Sequence, residues 1–148
     1  FARRRGLPLL TLMDLVSTAA PFGLFFGRLA NFINGELWGR VTEVPWRVVF
    51  PGAGPIGRHP SQLYEAALEG LLLFAILIAA AFGGAYRRPG LVAGMFLIGY
   101  AVFRAIGELF REQEASEIVT SWLSMGQLFS AGMLLAGIVV IALSKRRA

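Results

Sequence analysis

EAALEGLLLFAILIAAAF, Glu65 to Phe82, is the stretch whose reading decides the fold. Behind Glu69 it has neither a charge nor a proline. With Leu63 and Tyr64 it approaches the roughly 20 apolar residues that an α-helix needs to cross a bilayer. Three further stretches have the same character. One runs from about Leu7 to Phe32 and contains Asp14 and Arg28. Another, about Gly90 to Phe110, contains Arg104 and Glu108, and the last, about Ser121 to Leu143, has no charge at all. The expectation is an all-α integral membrane protein, a single membrane domain over 1–148. Its helices are expected near 7–32, 63–82, 90–110 and 121–143, with a small loop or arm region at 35–62.

Composition points the same way. Of 148 residues, 56% are hydrophobic and 16% charged, with a mean hydropathy of +0.64. Ordinary soluble domains carry about 25% charged residues. A disordered chain is excluded by the apolar content, and a small soluble globule has no core able to hold it. The chain has no cysteine and a single histidine, His59, which rules out disulfides, thiolate ligands, a cysteine nucleophile of its own and a multi-histidine metal site. It opens on Phe1-Ala2-Arg3-Arg4-Arg5, which reads as a loop and not as a start, so the chain is expected to lack an N-terminal part of the protein.

The net charge of +5 would suggest nucleic acid in a soluble protein. Its distribution says otherwise. Arg3–Arg5, Arg87–Arg88 and Lys145–Arg147 hold 8 of the 14 basic residues and fall on one side if all four helices cross. By the positive-inside rule that side is the cytoplasm. The 35–62 segment then faces outward, as does the loop after Glu112. Val44–Pro51 reads there as a short strand or extended arm bounded by prolines.

Charges inside the spans cost about 2.5 to 3.5 kcal/mol each on insertion scales, so they face protein or a wet cavity. Arg104 and Glu108 share a helix face, with Tyr100 one turn before. Gly27–Arg40, GRLANFINGELWGR, is the densest polar stretch. Arg28 offers a rigid donor fork suited to phosphate, Asn31 and Asn34 donate and accept, and Gly35 and Gly39 permit close backbone approach. Ser61 reads as the N-cap of the second span, with Glu65 in its first turn. Asp14 reads as a buried hydrogen-bonding group on the cytoplasmic side. These residues suggest an outer-leaflet phospholipid site. Arg28 and Arg104 would hold a phosphate there, with Glu36 or Glu108 orienting them or moving a proton. A transporter and a structural lipid-binding subunit are the competing classes. The first would favour midplane broken helices and repeats, and neither is evident.

The same residues carry a resemblance. Gly27–Arg40 closely resembles the signature of the prolipoprotein diacylglyceryl transferases. Arg58–Glu65 (RHPSQLYE), Phe103-Arg104 with Glu108–Arg111, and Met125-Gly126-Gln127 resemble that family's later motifs in the same order. The resemblance implies a multi-pass enzyme of the bacterial inner membrane with its C-terminus cytoplasmic and its site toward the outer leaflet. It implies transfer of a diacylglyceryl group from phosphatidylglycerol to the lipobox cysteine thiol in a prolipoprotein signal peptide, with release of glycerol phosphate. No metal or organic cofactor is implied, and no nucleic acid. Matched to the motifs, Arg28, Arg104 and Glu36 are catalytic, and Arg28, Asn31, Asn34, Gly39, Arg104 and Glu108 bind phosphatidylglycerol. His59 is a further matched position, and Tyr100, one turn before Arg104, is a further candidate. The family's upstream His-Gly-Gly segment has no counterpart here, so the group that accepts the thiol proton is left open and the fragment alone is expected to be inactive.

Overall fold

The structure, a computed structural model, describes residues 6, 8–112, 118–120 and 123–144. Four helices are long and apolar enough to cross a membrane: α1 (Leu9–Asn34), α2 (Ser61–Phe82), α3 (Leu91–Glu108) and α4 (Met125–Leu143). The all-α expectation holds, with one addition. A short antiparallel hairpin, β1 (Ile118–Thr120) and β2 (Leu123–Ser124), leads into α4. Arg3–Arg5 and Lys145–Arg147 lie outside the described residues. Arg87 and Arg88 are in the turn between α2 and α3, beside the end of α4: Arg88 Nη2 donates to the Ser144 carbonyl (3.2 Å) and Ser144 Oγ donates to that of Arg88 (3.3 Å).

Helices in a bilayer gain little from burying apolar surface against one another, because acyl chains are equally apolar. Close backbone approach has to supply the attraction, and small residues permit it. A Cβ at Gly70 of α2 would stand 2.7 Å from Phe25 Cβ and 2.9 Å from Phe25 Cα on α1. The crossing of α3 and α4 is equally tight. A Cβ at Gly94 would reach 3.0 Å from the Gly137 carbonyl oxygen, and one at Gly137 would reach 2.9 Å from that of Gly94. Outward faces carry Phe22, Phe26, Leu71, Ile76, Leu135 and Val139, all exposed as lipid-facing or helix-facing positions would be.

Two polar fastenings set the register of the bundle. At one end, buried Asp14 accepts the Gly90 N–H and the Ala93 N–H, each at 2.8 Å. Those are amides that the start of α3 cannot bond within itself. Asp14 is thus an N-cap supplied from another helix, and its charge faces the positive end of the α3 dipole. At the other end α1 stops at Gly35 (φ 67°). The Glu36 N–H reaches the Asn31 carbonyl (3.0 Å), a closure that needs a left-handed residue at Gly35.

The start of α2 corrects the reading of Ser61. The helix begins at Ser61 itself after Pro60, and no side chain caps it. Ser61 Oγ instead donates to the Leu37 carbonyl (3.3 Å), and Gln62 Nε2 donates to that of Glu36 (2.7 Å). Both side chains are committed to the Glu36–Leu37 loop, which carries the positive φ of 56° at Leu37. From Ala66 to Leu72 the helix then widens into a π-helical stretch. Such stretches are rare and are found frequently at functional sites.

Replacing Asp14 by Ala leaves two amides of α3 unpaired and is expected to cost about 1–3 kcal/mol. A lowered thermal midpoint of the detergent-solubilised full-length protein checks this, and Asp14→Asn, which keeps one acceptor, is expected to lose less.

Candidate active site: two arginines on shared carboxylates

Arg28 lies six residues before the end of α1, about 9 Å in from that end along the axis. Arg104 sits one turn before the end of α3 at Glu108. Between them α2 presents Glu65 and Glu69, buried at 2% and 0% exposure. Glu65 Oε2 is 2.9 Å from Arg28 Nε and 3.2 Å from Arg104 Nη1. Glu69 completes the square, with Oε2 3.2 Å from Arg28 Nη2 and Oε1 3.9 Å from Arg104 Nη1. Glu108 holds the far side of Arg104, with Oε2 3.2 Å from Nη2.

Simple electrostatics explains the arrangement. Sharing one carboxylate oxygen puts the two guanidiniums no more than about 6 Å apart. Their repulsion is about 3 kcal/mol at an effective dielectric of 20, and each contact near 3 Å offsets it by about 5 kcal/mol. The carboxylates are therefore the condition for two cations to share a site at membrane depth. Glycines make room for them. A Cβ at Gly107 would meet Glu65 Cγ at 3.1 Å, and one at Gly126 would stand 2.8 Å from Glu108 Oε2. Each arginine side chain stays about 15% exposed. Among the described residues no carboxylate engages Arg28 Nη1 or Arg104 Nε, which are the N–H groups turned to neither Glu65, Glu69 nor Glu108. The Tyr100 hydroxyl is within electrostatic reach of both arginines and both α2 carboxylates.

Arg28, Arg104, Glu108 and Tyr100 are thus brought together, as the sequence reading has them. Glu65 belongs with them and not to a capping turn. Glu69 joins them as a residue that the motifs do not single out, although two acidic residues four apart in an apolar run are a legible sign of intramembrane partners. Glu36 and Asn34 stand apart from this cluster. They bond each other, Nδ2 to Oε1 at 3.2 Å, at the exposed end of α1. Asn31 is half-buried one turn from Arg28, and its carbonyl closes the helix.

Gly39 and His59 belong to a loop layer over the cluster. The Gly39 N–H donates to the His59 carbonyl (3.0 Å), and the Arg40 N–H to that of Phe110 (2.9 Å). Val48 and Arg58 exchange backbone hydrogen bonds at 3.0 and 2.9 Å, the one bridge within Val44–Pro51; the expected extended arm is otherwise broken, by a turn that the Arg47 N–H closes on the Val44 carbonyl (3.1 Å) and by the 3-10 turn that starts at Pro51. The His59 ring packs on Tyr64 and Phe110, with Nδ1 3.2 Å from the Tyr64 hydroxyl, which also accepts the Trp46 Nε1–H at 2.7 Å.

Comparison with known proteins decides the family. The family model described as prolipoprotein diacylglyceryl transferase matches residues 1–143. The chain belongs to this family. Similar proteins include the phosphatidylglycerol–prolipoprotein diacylglyceryl transferases of Rhizobium leguminosarum bv. trifolii (strain WSM2304), 53% identical across the whole chain, and Methylocella silvestris, 54% identical over 99% of it. That of Rhodospirillum rubrum is 52% identical over 99%. The chain spans about half the length of these curated relatives, 54% in each case. Its family and its four apolar helices make it part of a multi-pass membrane protein.

In this member of the family, a Cβ at Gly39 would fall 2.5 Å from the His59 carbonyl oxygen and 2.6 Å from that of Phe110. Both are backbone atoms, which cannot swing away. Gly39→Ala is expected to open the loop layer at a cost of about 1–3 kcal/mol. Faster proteolysis of the 35–62 segment in the full-length protein is the measurement.

Proposed function

We propose that this chain carries the phosphate-handling part of an enzyme that moves a diacylglyceryl group from phosphatidylglycerol to the lipobox cysteine of a prolipoprotein. The observation that carries this reading is the pair of arginines bridged by Glu65 and Glu69. A donor pair within reach of the bilayer interface suits a phospholipid headgroup, and the family membership supplies the reaction class.

In the reaction the thiolate sulfur of the substrate cysteine attacks the glycerol carbon bonded to the phosphate oxygen. An S–C bond forms and the C–O bond breaks. The oxygen leaves with the electron pair as glycerol phosphate, a monoester with one more negative charge than the diester had. Arg28 and Arg104 would stabilise that added charge with N–H groups already held in place, which is where preorganised donors act most strongly. The thiol has to lose its proton first, since the thiolate is the nucleophile. The cysteine-free chain suits this role, because the reacting thiol comes with the substrate.

Asn34 and Glu36 pair at the exposed end of α1 and Asn31 lies one turn from Arg28, and we assign the three to headgroup contact, with no catalytic role kept for Glu36. Glu108 acts by holding Arg104. On the positive-inside rule we assign the Arg87–Arg88 turn to the cytoplasmic side of a bacterial inner membrane and the loop layer to its outer face.

Arg28→Ala or Arg104→Ala in the full-length enzyme is expected to lower lipidation of a lipobox peptide by about 100-fold or more while leaving membrane insertion intact. Glycerol phosphate released from phosphatidylglycerol vesicles measures it. Near-normal release by either variant would sink the assignment, and a transporter or structural subunit would release none with the wild type. For orientation, a cysteine at the exposed Ile56 is expected to react with an impermeant thiol reagent added to intact cells, and one at Arg87 only after permeabilisation.

A further inference from the structure

The unassigned group with the strongest geometry is Glu69. It is fully buried in the π-helical stretch of α2 and belongs to none of the motifs that single out Arg28 and Arg104. Its Oε2 faces two nitrogens of one guanidinium, Arg28 Nη2 at 3.2 Å and Nε at 3.4 Å. Its Oε1 has no hydrogen-bond partner and lies 3.9 Å from Arg104 Nη1, too far for a bond yet close enough to attract. Glu65 uses a single oxygen for both arginines, so one contact alone would leave each guanidinium free to turn about it. The second contact, on Nη2, fixes the plane of Arg28.

The backbone is built to keep Glu69 there. Its neighbour Gly70 lies against the Phe25 backbone one turn before Arg28, closer than any side chain would allow. The π-helical stretch spans Ala66 to Leu72 around that contact. The carboxylate and the arginine it faces are thus set on two helices locked at adjacent turns.

From this geometry we infer that Glu69 is a positioning residue for the transfer: with Glu65 it holds Arg28 and Arg104 as one converged pair, so that their remaining N–H groups meet the leaving phosphate together. It touches neither substrate nor the reacting atoms. Its effect arises as charge develops on the phosphate, where a misplacement of about 1 Å costs on the order of 100-fold in rate. The inference rests on the phosphatidylglycerol-dependent transfer proposed above.

The test is steady-state kinetics of the full-length enzyme with phosphatidylglycerol vesicles and a lipobox peptide, alongside the thermal midpoint of each variant. Glu69→Gln keeps the size of the side chain and removes its charge. It is expected to lower kcat about 10- to 100-fold with KM for phosphatidylglycerol within about threefold, since only an interaction made in the transition state is lost. Glu69→Asp keeps the charge but shortens the reach, and a smaller loss confined to kcat is expected. Glu112→Gln, which removes an exposed partner of Arg58, is expected to leave both parameters unchanged. A rise in KM at constant kcat overturns the inference in favour of headgroup binding. Wild-type kcat in folded Glu69→Gln overturns it outright, and failure of both Glu69 variants to accumulate overturns it in favour of a folding role. Should Arg28→Ala remain active, the transfer reading itself fails, whatever the Glu69 variants do.

Discussion

A single carboxylate oxygen, Glu65 Oε2, lies between two guanidiniums from different helices, and the architecture follows from what that contact demands. Two like charges at membrane depth repel each other and resist leaving water, so neither arginine can be held there without counter-charge. Counter-charge has to come from a third helix, which brings α2 between α1 and α3. It also has to come close, which explains the absence of side chains at Gly70 and Gly107. The polar loop above then needs anchoring to the same helix, and Ser61 and Gln62 supply it through the Leu37 and Glu36 carbonyls.

The cluster has a formal excess of negative charge when ionised, three carboxylates on two guanidiniums. The carboxylates therefore fix the guanidiniums more than they leave positive charge over, and an anion would be met by individual N–H groups and not by a net positive field. Removing one partner of a buried pair typically costs 3–5 kcal/mol, because the other is left uncompensated. Stability and the proposed phosphate handling therefore draw on the same atoms, because the side chains assigned to the phosphate also hold three helices in register.

Much of this was open to a reading of the residues alone. Four apolar runs separated by polar turns announce spanning helices, and their bounds move by at most two residues in the structure, as frayed ends and caps would produce, except at the start of α4, where Leu123–Ser124 belongs to the hairpin. Arg28, Arg104 and Glu108 were legible because charge inside an apolar run is costly. The same rule should have marked Glu65 and Glu69. Closeness to the start of the helix made Glu65 look like a first-turn acid, and period arguments that assume 3.6 residues per turn do not foresee a π-helical stretch. Ser61 looked like a cap because serine before an apolar run usually is one. Its hydroxyl is taken by a loop 24 residues away, a tertiary choice that local pattern does not carry. Gly39 and His59 are in two motifs that look chemical, and their observed contacts hold the backbone of the loop layer together.

Asp14 has a consequence for motion. It fastens α1 to the start of α3 at one end, while fourteen residues on, about 21 Å along the helix, Arg28 is fastened to α3 through the shared carboxylates. Sliding α1 by a single residue, about 1.5 Å, would break both attachments at once. The α1–α3 seam therefore behaves as a fixed post within the bundle, and any sideways parting of the helices has to come at a seam that lacks such paired attachments.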